Sequence, residues 1–152
     1  MYENHPDVII SYNNLSYTYA KLGDSEKALE YGFKAMEMCK KAPSVDNATL
    51  ALIYNNLGYV YSILADYSIA IEYQVMALRI RQEIFPEYHP DVAQCFNNIA
   101  DSFFMMKQFH LARECAECAV AIAAHFLPEG HPNLVLYCKN LNTIISVCNN
   151  MD

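Results

Sequence analysis

A register of 42 residues runs through this chain and constrains its fold more than any single residue does. Asn13, Asn55 and Asn97 stand 42 apart, as do Asn14, Asn56, Asn98 and Asn140, and the alanine pairs Ala28 and Ala35, Ala70 and Ala77, Ala112 and Ala119. A fixed period of this size marks stacked units, none of which can bury its apolar face without a neighbour. Function in such a chain belongs on the surface the units share.

Each unit reads as two helices. In the first, Val8, Tyr12, Leu15, Tyr19 and Leu22 recur at steps of four and three, the stripe of an amphipathic helix. The equivalents are Leu50, Tyr54, Leu57, Tyr61 and Leu64, then Val92, Phe96, Ile99, Phe103 and Met106, then Leu134, Cys138, Leu141, Ile145 and Cys148. His5-Pro6-Asp7, His89-Pro90-Asp91 and His131-Pro132-Asn133 open three of these helices, and Asp46-Asn47 opens the other. Gly23-Asp24, Ala65-Asp66 and Lys107-Gln108 break the pattern. A second helix follows each break, with Ala28, Tyr31, Ala35 and Met38 on one face and Ala70, Tyr73, Ala77 and Ile80, or Ala112, Cys115, Ala119 and Ile122, as counterparts. Pro43, Pro86 and Pro128 end these second helices.

Leu57-Gly58, Tyr61, Ala65, Tyr67, Ala70 and Ala77 resemble the tetratricopeptide signature of large, small, aromatic and alanine positions. The period, the His-Pro-Asp openings and the Asn-Asn-Leu or Asn-Asn-Ile runs make it similar to the kinesin light chain type of that repeat. The likeness covers residues 5 to 148, with departures at Ser16, Ser25 and Asn142. It implies an all-α fold, a right-handed α-solenoid of about 3.5 repeats and seven helices. One domain over 1–152 is expected, with repeats at 5–46, 47–88 and 89–130 and a half repeat or capping helix at 131–150.

Charge and composition narrow the function. A net charge of -7, with ten Lys plus Arg spread over the repeats, leaves no basic stripe for nucleic acid. No apolar run approaches the roughly 20 residues that span a bilayer, and the first residues lack the pattern of a signal peptide. The six cysteines occupy core-type positions and read as small hydrophobes, which points to a reducing, cytoplasmic setting. Cys115 and Cys118 have redox-motif spacing but fall inside a helix. Equivalent histidines of stacked repeats lie about 10 Å apart, too far for a shared metal. With no phosphate loop or nucleophile motif, no catalysis and no cofactor are expected.

First helices line the concave face in the tetratricopeptide family, so the resemblance places a groove on the side away from the buried stripe. At about 100° per residue that side carries Ile10, Asn13, Tyr17 and Lys21, then Leu52, Asn55 and Tyr59, then Gln94, Asn97 and Asp101, then Lys139. Asn13, Asn55 and Asn97 are expected to form an amide ladder that holds an extended peptide backbone, with Tyr17 and Tyr59 as apolar anchors. A protein or peptide partner is therefore expected, and an acidic one has only Lys21 and Lys139 to meet it. Two alternatives remain. One is homo-oligomeric assembly through a final helix that reads as apolar almost all round. The other is a repeat piece cut from a longer array, of which Met1 to Asn4 would be the tail of an earlier unit.

Overall fold

The computed structural model describes residues 5–43 and 45–151, and the secondary structure among them is helical. The helices are α1 (Pro6–Lys21), α2 (Ser25–Lys41), α3 (Asn47–Ile63), α4 (Tyr67–Ile84), α5 (Pro90–Met105), α6 (Phe109–Phe126) and α7 (Pro132–Asn149). They group into two compact units, Met1–Ile80 and Arg81–Asp152, so the last turn of α4 belongs with α5 to α7. The reading of Met1 to Asn4 lies outside the described residues.

In the first unit α1 packs on both α2 and α3, and α2 on α3. Burial on α1 therefore falls on the line between its two neighbours, at Ile9, Asn13, Ser16 and Ala20. This corrects the expected stripe by one position, or about 100°: Leu15 is 39% exposed and Leu22 74%, while Tyr12 and Tyr19 are half-buried. Small residues make the shift possible. A Cβ on Gly32 would meet Leu57 Cδ2 at 2.6 Å and Ser16 Oγ at 2.9 Å, so α2 lies close enough to α1 and α3 that any side chain there would have to displace Leu57 and Ser16. The half-buried tyrosines form a repeated clasp. Tyr31 of α2 stacks between Tyr12 and Tyr19, centroids at 5.8 and 5.4 Å, and Tyr73 of α4 sits likewise against Tyr54 and Tyr61 at 6.0 and 5.7 Å. Ile9, Ala35, Cys39, Ala42, Ile53 and Leu57 form the main core.

In the second unit α5 packs on α6 and α7, and α6 on α7. Ala93, Ala119, Ala123, Leu134 and Tyr137 make one core cluster and Ala100, Ala112, Ala116, Ile144 and Cys148 another. The buried Arg81 Nη1 donates to the Asp91 carbonyl at 3.0 Å, tying the end of α4 to the start of α5. The outer face of α7 differs from expectation. Beside the exposed Val135 and Leu136 it carries Lys139, Asn142, Thr143 and Ser146, so it is mixed in character instead of apolar all round.

The breaks between paired helices share one geometry. Gly23, Ala65 and Lys107 have φ of 83°, 61° and 61°. The N–H of the following residue reaches back to the carbonyls of Tyr19, Tyr61 and Phe103 at 3.0, 3.0 and 2.9 Å, which closes the helix ends.

Candidate peptide-docking surface

The residues expected on the groove separate into exposed and sealed sets. In the first unit Ile10, Tyr17 and Leu52 are 41%, 42% and 40% exposed, Lys21 is exposed, and Tyr59 is half-buried. The Tyr17 and Tyr59 rings lie 5.7 Å apart at 39°. Lys21 Nζ stands 5.3 Å from one centroid and 5.1 Å from the other. Hydrogen bonds to the Tyr59 hydroxyl and then to that of Tyr17 raise the Lys21 ammonium above its ordinary pKa. Two aromatic rings and a cation are thus gathered in one cluster, and Ile10 and Leu52 are exposed seven residues earlier, two turns along the same faces of α1 and α3.

The amide ladder is a correction. Asn13, Asn55 and Asn97 are buried, at 1%, 8% and 5% exposure. Asn56 Nδ2 donates to Asn13 Oδ1 at 3.0 Å, and in the second unit Asn140 Nδ2 donates to Asn97 Oδ1 at 3.1 Å. Within each unit the paired first helices, α1 with α3 and α5 with α7, lie close enough that these amides face each other. Asn56 and Asn140, which the sequence shows only as part of the register, are the partners. The signal is in the sequence as a spacing of 43, one more than the repeat, between donor and acceptor.

In the second unit Gln94 is exposed, and its Oε1 accepts from Arg81 Nη1 at 3.4 Å. Asp101 is exposed at one side and tied to the amides at the other, accepting from Asn97 Nδ2 and Asn140 Nδ2 at 3.4 Å each. Burial pushes its carboxyl up to about 6, against the Asn97 hydrogen bond that draws it down. Lys139 is exposed on α7, on the wall of an open depression of about 800 Å³ shared with Leu134, Val135, Cys138 and Asn142.

The histidines have a local task the sequence reading missed. Nδ1 of His5, His89 and His131 accepts from the backbone N–H two residues on, at 3.3, 3.1 and 3.2 Å, capping α1, α5 and α7. Among the described residues no group of three or more His, Cys, Asp or Glu is placed to hold a metal, and no helix is long and apolar enough to cross a membrane. Cys118 is exposed, contrary to its expected core position, and burial pushes the Cys115 thiol up to about 11, away from reactive thiolate character.

Family models described as tetratricopeptide repeat match residues 49–124 and 8–42. No curated protein matches the chain by sequence. Among solved structures, BtubC (BKLC) from P. vanneervenii is 24% identical with a TM-score of 0.78, over 88% of this chain and 52% of its own. The chain thus spans about half the length of that relative. A Podosopora anserina putative kinesin light chain with nearly identical TPR-like repeats is 19% identical, with a TM-score of 0.77 over 97% of this chain and 70% of its own. The N-terminal domain of stress-induced protein-1 from C. elegans is 21% identical, with a TM-score of 0.65 over 90% of this chain and 95% of its own. At these identities the likeness is one of fold: an all-α solenoid of paired helices.

Proposed function

The chain belongs to the tetratricopeptide repeat family, and we propose that it is a protein-interaction scaffold holding an extended segment of a partner on the exposed face of α1 and α3. The observation that carries this reading is the Tyr17, Tyr59 and Lys21 cluster, with Ile10 and Leu52 exposed two turns earlier on the same helices. Tyrosine gives large contact area for little lost entropy and dominates interface energetics where it is clustered. The buried amides play a different part from the one the sequence suggested. They fix the spacing of the helices that present this face.

The test uses a peptide selected on an array by the 152-residue chain. Replacing the exposed Tyr17 by Ala should weaken its binding at least about tenfold, or about 1.4 kcal/mol, with little change in melting temperature, whereas Tyr59, which also packs on Ala20, Ala28 and Val60, is left in place. Unchanged affinity would refute the assignment.

A further inference from the structure

The 42-residue register puts Asp101 of α5 where α1 and α3 carry Tyr17 and Tyr59. Asp101 lines a notch of about 210 Å³ together with Phe104, Asn140, Thr143 and Ile144. That is below the roughly 300 Å³ at which small-molecule pockets begin, and suits one side-chain head.

Hydrogen-bond accounting defines what the notch offers. Asn140 Nδ2 gives its two protons to Asn97 Oδ1 at 3.1 Å and Asp101 Oδ1 at 3.4 Å. Asn97 Nδ2 donates to Asp101 Oδ2 at 3.4 Å, and Thr143 Oγ1 donates to the Lys139 carbonyl at 3.0 Å. The carboxylate also fixes the amide orientations, because turning either amide would set oxygen against oxygen. With the donors of Asn140 and Thr143 already committed, what the polar residues lining the notch retain is accepting capacity, chiefly the remaining lone pairs of Asp101, beside the Phe104 ring. A neutral amide would leave its carbonyl unmet there, and an anion would be repelled.

Asp101 is not needed to hold the helices. In the first unit Asn56 and Asn13 make the same amide bond at 3.0 Å with Tyr17 in the corresponding place. Among the described residues no Lys, Arg or His pairs with Asp101, and burial leaves the carboxyl titrating at about 6. We propose that this notch, which lies within the second unit, is a receptor for one basic side chain, a lysine ammonium or arginine guanidinium, of a partner segment. A cation there satisfies the acceptors, compensates the desolvated carboxylate and lays its stem against Phe104. The inference rests on the docking reading and adds the chemistry of one subsite.

Two measurements test it. N-acetyl-arginine methylamide, titrated into the chain with carbon-13 detection of the Asp101 carboxyl, should lower that group's midpoint by about 0.5 or more, while the neutral citrulline analogue leaves it in place. Equal effects, or none, would overturn the site. Second, in an array-selected peptide, replacing its basic residue by Gln should cost at least about tenfold in affinity. This preference should vanish in Asp101→Asn, and in Asp101→Tyr, which restores the residue type of the earlier units. Binding that depends on Tyr17 but is indifferent to basic residues would sink the subsite alone. An arginine probe that moves Asp101, in a chain that captures no peptide, would sustain the site and remove the docking reading.

Discussion

At the scale of single residues, two features carry a cost that can be measured. Ala65 and Lys107 adopt the left-handed conformation that Gly23 adopts freely. An L side chain there costs about 1–2 kcal/mol, part of which glycine returns as entropy in the unfolded chain. Ala65→Gly and Lys107→Gly should each stabilise the fold by about 0.5–1 kcal/mol in chemical denaturation, and destabilisation would contradict the strain. Asp101 carries a cost of another kind. Its folded carboxyl titrates at about 6 against an ordinary 3.8, so between those values the folded chain holds a proton that the unfolded chain releases. The contribution of this group to stability falls as pH rises through that window and returns as pH drops. The melting-temperature difference between the parent chain and Asp101→Asn should move in favour of the parent chain from pH 7 to pH 4, and a constant difference would place the carboxyl in water.

At the scale of helices, start signals were legible and their chemistry was not. The His-Pro openings mark α1, α5 and α7 correctly, but proline's preset φ explains only half of the motif. The imidazole supplies the cap, as Asp46 does for α3 by accepting from the Thr49 N–H at 2.8 Å. His89→Ala should cost about 1 kcal/mol in urea denaturation and His89→Asn should recover most of it; equal loss in both would mean the ring acts by its stacking on Phe85 instead. Burial direction was misread for a physical reason. Hydrophobic spacing finds the face toward the paired helix, whereas α1 is also crowded by α3, and the position between them takes Asn13 and Ser16 instead of large apolar groups. Asn56→Ala would strand the buried Asn13 carbonyl oxygen and should cost about 1–3 kcal/mol by calorimetry. A neutral result would show that the amide pair adds nothing to the packing.

At the scale of the whole molecule, the 42-residue register announced stacked units, the stripes at steps of three and four made each unit helical, and the solenoid followed from the resemblance these carried. The face proposed for docking was legible in part. Ile10, Tyr17, Lys21, Leu52 and Tyr59 are gathered as the helical rotation implies, while Asn13, Asn55 and Asn97 on the same face were lost to contacts between helices that no single-helix projection contains. The difference between Tyr17 and Tyr59 in one unit and Asp101 in the other gives the two surfaces distinct chemistry on a common backbone plan. The most direct measurement of the docking face is chemical-shift mapping of the chain with an array-selected peptide. The expected perturbations fall on Ile10, Tyr17, Leu52 and Tyr59 of α1 and α3; perturbations confined to the outward residues of α2 and α6, such as Glu30, Lys34 and Glu114, would contradict it.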